Sequence, residues 1–296
     1  MSLVVNTNVA SMNAQRSLMH SSRELQTAME RLSTGKKINS AADDAAGFAI
    51  AESMTAQIRG LSMAAKNASD GLSLLKVVEN ATNDVTDMLQ RIRELAVQAK
   101  SGTNSSNDVG NLQLEANALM DEITRVSDNT TFNGVTYIGS GAGEVSIQVG
   151  YNDNDSIGIT TYSVSATALG LRSAGTPEVP EVKDGDGEVT TEYAAAVPPA
   201  NLDITSNDAL DTISAAINTV GGYKAEWGAG QNRLEYTVSN LMNVVEFTSA
   251  ARSRIQDADF AVEAARLAKS QVLQQTGTAM LAQANASPQL AISLIS

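Results

Sequence analysis

The residues that could carry out chemistry in this sequence are few and widely spaced. His20 is the one histidine among 296 residues, and there is no cysteine. A zinc site takes about four N, S or O ligands, usually rich in His and Cys. A Ser-His-acid triad would have to use His20, yet no nucleophile-elbow motif surrounds any serine. We therefore predict no metal, no cofactor and no catalytic residue, and we interpret His20 as a surface or interface residue.

Two acidic tracts resemble sites without matching them. The tract at 184–188, DGDGE, begins like a calcium loop but lacks the later ligand spacing, so we favour a solvated acidic turn over calcium. Asp43 and Asp44 could imitate a catalytic dyad, but after Asn39-Ser40 they suit a helix N-terminus and its dipole. No Gly-rich phosphate loop is present. The sequence predicts a protein that is not an enzyme.

The charge and the hydropathy of the chain limit which classes of partner it can bind. The net charge is −13, which opposes binding to nucleic acid or to an anionic lipid surface. No run approaches the roughly 18 to 20 apolar residues that a transmembrane helix needs. The first residues lack the basic and apolar regions of a cleavable signal, so export would need a route that reads something else.

The elements that would position any functional residue are long helices. No proline precedes Pro177, and four prolines then fall within 177–199. Apolar residues spaced by threes and fours predict a helix of roughly 60 Å at about 1.5 Å per residue. Its stripe consists of Ile58, Leu61, Ala65, Ala68, Leu72, Leu75, Val78, Thr82, Val85, Leu89, Ile92, Ala96 and Ala99. Further helices are predicted over 112–126 and from 206 or 207 onward, with a pattern that pauses at the glycines 221 and 222.

These patterns predict a mainly α fold, a long antiparallel helical bundle or coiled coil with a small β region and a short outer insertion. Asn133-Gly134 indicates a hairpin turn, and the β region is expected over 132–165. The ends differ, because their heptad positions lie among many Asn and Gln residues. We expect these terminal helices to gain stability from partners, through the self-assembly positions Leu18, Leu25, Leu32, Phe260, Leu267 and Leu281.

Six sequence motifs are distributed over both ends of the chain. These are NTNVASMNAQRSL at 6–18, RLSTGKKINSAADDAAGFAI at 31–50, QRIRELAVQ at 90–98, TFNGV at 131–135, SRIQDADFAVE at 253–263 and QANASPQ at 283–289. This set of motifs resembles bacterial flagellin. Together they span residues 6–135 and 253–289, in the order that the family shows.

The resemblance implies a secreted subunit of the flagellar filament, exported unfolded by a flagellar type III system and assembled into an open helical homopolymer for swimming motility. Residues 1–42 and 257–296 would form an inner terminal domain. Residues 43–169 and 206–256 would form a helical-bundle domain with the small β region, and 170–205 a reduced outer insertion. The implied partners are other copies of the chain, an export chaperone on the C-terminal helix, and the filament cap and hook-junction proteins.

The resemblance also implies recognition by innate-immune receptors. Arg91, Leu95 and Glu115 match exposed positions that Toll-like receptor 5 recognises in the family. Leu290, Ile292, Leu294 and Ile295 resemble a C-terminal patch read by inflammasome receptors, although the ending LIS departs from the family's frequent basic terminus.

Three other interpretations compete with the filament subunit. A hook-filament junction protein shares the helical ends but caps a joint instead of polymerising indefinitely. A flagellin carrying a metallopeptidase needs an HExxH motif, which the sequence lacks. A helical adhesin would not assemble at all. Filament formation distinguishes these alternatives.

Overall fold

Helices dominate the computed structural model, which describes residues 7–174, 182–183, 189–191 and 199–293. The helices are α1 (Val9–Thr34), α2 (Ala45–Ala99), α3 (Ser106–Asn129), α4 (Ala209–Gln256) and α5 (Phe260–Ser293). The strands are β1 (Thr131–Phe132), β2 (Val135–Thr136), β3 (Glu144–Gln148), β4 (Ser156–Thr160), β5 (Val182–Lys183) and β6 (Val189–Thr191). The predicted fold class is confirmed.

The long predicted helix is α2, and its apolar stripe is the face that meets the core. Leu75, Val85 and Leu89 on this stripe are fully buried. Thr82, the polar member, is also fully buried, and its Oγ1 donates to the carbonyl of Val78 over 2.6 Å. This bond within the helix satisfies the hydroxyl, so the stripe tolerates one polar residue.

Helix α4 runs antiparallel to α2. Gln231 donates to Glu79 over 2.8 Å, whereas Lys224, earlier in α4, donates to Asn83, later in α2, over 2.5 Å. Residue numbers therefore increase in opposite directions along the two helices. The predicted antiparallel arrangement is confirmed for this pair.

The strands form antiparallel hairpins. Asn133 and Gly134 join β1 to β2 with φ angles of 51° and 80°, the positive values that a type I′ turn requires. In the β3–β4 pair Ile147 lies opposite Ile157. Both of these residues and Ile159 are buried, so one face of the hairpin joins the core.

Gly71 of α2 lets this hairpin approach the helix closely. A Cβ atom at that position would collide with the Cδ1 of Ile147 and come within 3.3 Å of the Cδ1 of Leu234. The close approach explains a glycine inside a helix, where it costs about 1 kcal/mol relative to alanine.

An aromatic cluster closes the core beside β4. Trp227 is 1% exposed, and its Nε1 donates to the carbonyl of Thr160 over 2.9 Å. Tyr223 stacks on Tyr162 with ring centroids 4.1 Å apart, and the hydroxyl of Tyr162 donates to Glu226 over 2.9 Å. The apolar periodicity of the sequence did not reveal this cluster, because the tyrosines are only partly buried.

The chain enters and leaves the predicted outer insertion at one place. The amide of Ser173 donates to the carbonyl of Ala200, and that of Leu202 to the carbonyl of Leu171, both over 2.9 Å. Gln113 of α3 donates to the carbonyl of Leu202 over 2.9 Å. The two ends of the insertion therefore pair with each other and are hydrogen-bonded to α3.

The chain divides into two compact units, which differ in charge. Unit 1 comprises Met1–Arg59 with Val244–Ser296, and unit 2 comprises Gly60–Asn243. Unit 1 contains ten Lys and Arg residues and nine Asp and Glu residues; unit 2 contains ten and twenty-four. The net charge is thus +1 for unit 1 and −14 for unit 2, so the negative net charge of the protein comes from unit 2.

Candidate assembly and receptor-binding surfaces

In unit 1, helices α1 and α5, from the two ends of the chain, pack side by side in antiparallel directions. We call this pair the α1–α5 hairpin, although no short loop joins the two helices. At one end the side-chain amide of Asn8 donates to the carbonyl of Ala284 over 2.7 Å, and Ser11 donates to Asn285 over 2.8 Å. At the other end the amide of Ala258 donates to the carbonyl of Gly35 over 3.0 Å. Both ends of the hairpin are therefore fixed in register by hydrogen bonds.

A buried carboxylate joins the two helices. Glu263 of α5 has a side chain only 6% exposed, and its Oε1 accepts from Arg31 of α1 over 3.3 Å and from Arg266 over 2.9 Å. Two guanidinium groups thus share one carboxylate oxygen. Because removing one partner from a buried ion pair leaves an uncompensated charge, this contact fixes the pairing of α1 with α5.

The predicted self-assembly leucines lie along the hairpin at intermediate exposure. Five of the six predicted positions are half-buried, namely Leu18, Leu25, Leu32, Leu267 and Leu281, and Phe260 is 64% exposed. Two helices alone do not cover these side chains. Their role in assembly stays a prediction.

Large apolar side chains cover much of the outer surface of the hairpin. Those that are at least 40% exposed are Val9, Met12, Met19, Met29, Phe260, Val262, Val272, Leu273 and Met280. Exposed apolar side chains in this number are typical of a surface that takes part in protein interactions. Methionine suits such a surface, since its flexible thioether adapts to different partners.

The side chains of the predicted C-terminal patch lie outside the described part of the chain. Leu294 and Ile295 lie outside the described residues, and so do the side chains of Leu290 and Ile292. The acidic tract at 184–188 lies outside them as well.

In unit 2, Arg91 and Glu115 form an exposed ion pair between α2 and α3. Arg91 Nη2 lies 2.8 Å from Glu115 Oε1, Arg91 Nη1 lies 3.1 Å from Glu94 Oε2, and the side chains of Arg91 and Glu115 are 49% and 45% exposed. Hydrogen bonds to Glu115 and then Glu94 raise the pKa of Arg91. A permanent cation beside two carboxylates can offer charge and hydrogen bonds to a partner.

Leu95 does not share this exposure. Its side chain is fully buried in the core of unit 2, so the prediction of an exposed leucine there is wrong. The residue lies on the apolar side of α2, next to Ala96 and one turn after Ile92, both also fully buried. Arg91 and Glu115 reach solvent because they project from the polar side of their helices.

Asp43 and Asp44 occupy the helix N-terminus that their sequence position predicts. Asp43 Oδ2 accepts from the amides of Ser40 and Asn39 over 2.9 and 3.1 Å, and these bonds lower its pKa. Asp44 Oδ1 accepts from the amide of Gly47 over 3.0 Å. Both carboxylates thus hold backbone amides before and within α2.

His20 is exposed on α1, with its Nδ1 3.5 Å from Glu24. Among the described residues, no group of three or more His, Cys, Asp or Glu residues could hold a metal ion. In the same part of the chain, no helix combines the length and hydropathy needed to cross a membrane.

Comparisons with known proteins match both ends of the chain. Residues 5–138 match the family model described as bacterial flagellin N-terminal helical region, and residues 210–295 match the bacterial flagellin C-terminal helical region. A flagellin from Xenorhabdus nematophila is 43% identical over 312 residues, covering 100% of both chains. Flagellin A from Vibrio cholerae is 36% identical over 378 residues, again covering both chains completely. A crystal structure of Bacillus cereus flagellin covers 60% of this chain and 88% of that one, with a TM-score of 0.44 and 23% identity.

Proposed function

Because this chain belongs to the bacterial flagellin family, a family of structural subunits of the extracellular flagellar filament, we propose that the α1–α5 hairpin is its principal polymerisation surface. The observation that carries this proposal is the number of exposed methionines and other large apolar residues on the hairpin. Burial of such surface gives about 25 cal/mol per Å², which favours packing between copies.

Assembly would also complete the order of the terminal helices. The half-buried leucines of the hairpin need neighbouring copies to cover them, and helices in proteins gain most of their stability from the packing of an apolar face. The helices would therefore become fully ordered as each subunit docks at the growing tip. Head-to-tail contacts that do not close on themselves then produce an open helical polymer.

The remaining partners are proposed by family membership. Export would proceed through a flagellar type III system, with a chaperone binding α5 before assembly. The filament cap and hook-junction proteins would contact the subunits at the two ends of the filament.

Recognition by Toll-like receptor 5 is proposed for the surface around Arg91 and Glu115. The exposed charge cluster of these residues and Glu94 supports this assignment, whereas buried Leu95 would act only by supporting the position of α2.

Seeded polymerisation tests the proposed filament function. The purified chain, mixed with short filament fragments as seeds, should form long filaments visible by electron microscopy. Chains lacking residues 1–42 or 257–296 should stay soluble and helical but unassembled. Short rings or stable monomers from the full chain would favour a junction protein or adhesin instead.

A further inference from the structure

A groove rich in cations runs along the α1–α5 hairpin. It has a volume of about 360 Å³. We call it the basic groove and define it by its four permanent cations, Arg23, Arg31, Arg266 and Lys269. The small residues Ala28 and Ser270, 2% and 3% exposed, allow the two helices to come close beneath it.

The carboxylates of the groove do not neutralise these cations. Two carboxylates line the groove, Glu24 and Glu263, against four permanent cations. Glu263 is shared by Arg31 and Arg266, and Glu24 lies 3.5 Å from His20. Among the described residues, Arg23 and Lys269 have no carboxylate partner within 4.0 Å. In the same part of the chain, the Nε of Arg31 is buried without a hydrogen-bond acceptor. The groove thus presents unpaired positive charge and an unsatisfied donor in a protein whose net charge is −13.

Packing of copies increases the need for a counter-charge. Helices α1 and α5 together carry five Lys and Arg residues but three Asp and Glu residues. Hairpins packed on one another therefore cannot neutralise their own charge. Since unpaired charges lose hydration when they are buried, this excess opposes assembly unless an anion enters with the subunit.

We propose that the basic groove binds a divalent inorganic oxyanion, phosphate or sulfate, which neutralises the hairpin as copies of the chain pack together. The guanidinium groups of Arg23 and Arg266 match the geometry of such an oxyanion, and Lys269 adds a point charge. Monovalent chloride offers neither the charge nor the acceptor geometry. This inference rests on the proposed polymerisation through the hairpin.

Assembly at constant ionic strength tests the inference. The wild-type chain is polymerised from seeds in sodium phosphate or in sodium chloride, and the critical concentration is measured by sedimentation. We expect phosphate to lower it about fivefold, and radiolabelled phosphate to sediment with the filaments at about one per subunit. Arg23→Gln with Lys269→Gln should lose the bound label and reduce the difference between the salts to the general salting-out effect of phosphate.

The double variant Arg16→Gln with Lys37→Gln is the matched control. It removes two exposed cations of unit 1 that do not line the groove, so it should keep the wild-type response to phosphate. If the groove variant responds to phosphate as the control does, or if no label sediments with wild-type filaments, the oxyanion site is wrong although polymerisation stands. If the wild-type chain forms no filaments in either salt, the proposed function itself fails.

Discussion

At the scale of single residues, Glu263 joins the two terminal helices, because its buried carboxylate accepts from both Arg31 and Arg266. The sequence motif containing Glu263 carried the family resemblance, but nothing in the pattern of apolar residues indicated that this carboxylate would be buried. Pairing across more than two hundred positions of the chain is visible only in the folded hairpin.

Glu263→Gln should weaken assembly, because a neutral amide replaces the charged acceptor of two guanidinium groups. Hydrogen bonds to charged groups contribute about 1.5–3 kcal/mol, so the critical concentration for polymerisation should rise about tenfold or more. Glu30→Gln on α1 is the control, since Glu30 is exposed. Equal critical concentrations for the two variants would show that the buried pair does not stabilise the assembled hairpin.

Arg91 allows a residue-scale test of receptor recognition. Arg91→Ala removes the cation paired with Glu115. It should reduce Toll-like receptor 5 signalling by tenfold or more in a cell reporter assay, because the loss of one hydrogen bond to a charged group has an effect of about this size. Arg93→Ala removes an exposed arginine two positions further along α2, on a different face of the helix, and should retain activity. Equal potency of both variants would contradict the assignment.

At the scale of elements, the sequence predicted the helices well wherever one face met the core. The stripe of α2 is a good example, since most of its members are buried. The pause at Gly221 and Gly222 did not end a helix, because α4 continues through both glycines. Burial of Val220 and Trp227 on either side outweighs the roughly 1 kcal/mol that each glycine costs.

Leu89→Ala on α2 should destabilise unit 2 by about 2–5 kcal/mol, since it leaves a cavity in a fully buried position. Leu114→Ala on α3 is the matched control, because Leu114 is 67% exposed; it should cost less than about 1 kcal/mol. Urea unfolding followed by the fluorescence of Trp227, the one tryptophan, measures both. Similar losses for the two variants would contradict the description of the core.

Helix α3 begins with a capping box that makes its stability depend on pH. The hydroxyl of Ser105 donates to Asp108 over 2.7 Å, and this bond lowers the pKa of Asp108 below its ordinary value of 3.8. Because the folded pKa is the lower one, the contribution to stability is present above pH 3.8 and is lost as the pH falls through the folded pKa.

Ser105→Ala should therefore lower the melting temperature of unit 2 at neutral pH, and the difference from wild type should shrink in acid. Carboxyl NMR of Asp108 should show its pKa returning toward 3.8. Ser106→Ala, at the adjacent exposed position, should leave that pKa low. An unchanged pKa in Ser105→Ala would exclude the hydroxyl of Ser105 as its main cause.

At the scale of the whole molecule, the two units differ in their charge. Unit 2 holds the acidic excess, whereas unit 1 is nearly neutral and exposes methionines along its hairpin. The net charge of unit 2 opposes its self-association, and the exposed apolar side chains of unit 1 suit the proposed packing between copies. The sequence predicted marginal terminal helices from their Asn and Gln content, but which faces are left uncovered depends on the pairing of α1 with α5.

The predicted domain boundaries follow the breaks between helices, near 42 and 257. The compact units instead divide inside α2 and α4, and both helices continue without a break through the division. Periodicity cannot show such a division, since the apolar stripe is continuous across it. The inner and outer domains stay a prediction about the assembled filament.

Electron cryomicroscopy of the assembled filament tests the central claim most directly. We expect the side chains of Met12, Met19 and Met280, which are 55%, 56% and 64% exposed in the single chain, to be buried between neighbouring subunits. Filaments in which these methionines remain in contact with solvent, while other surfaces form the subunit contacts, would contradict assembly through the α1–α5 hairpin.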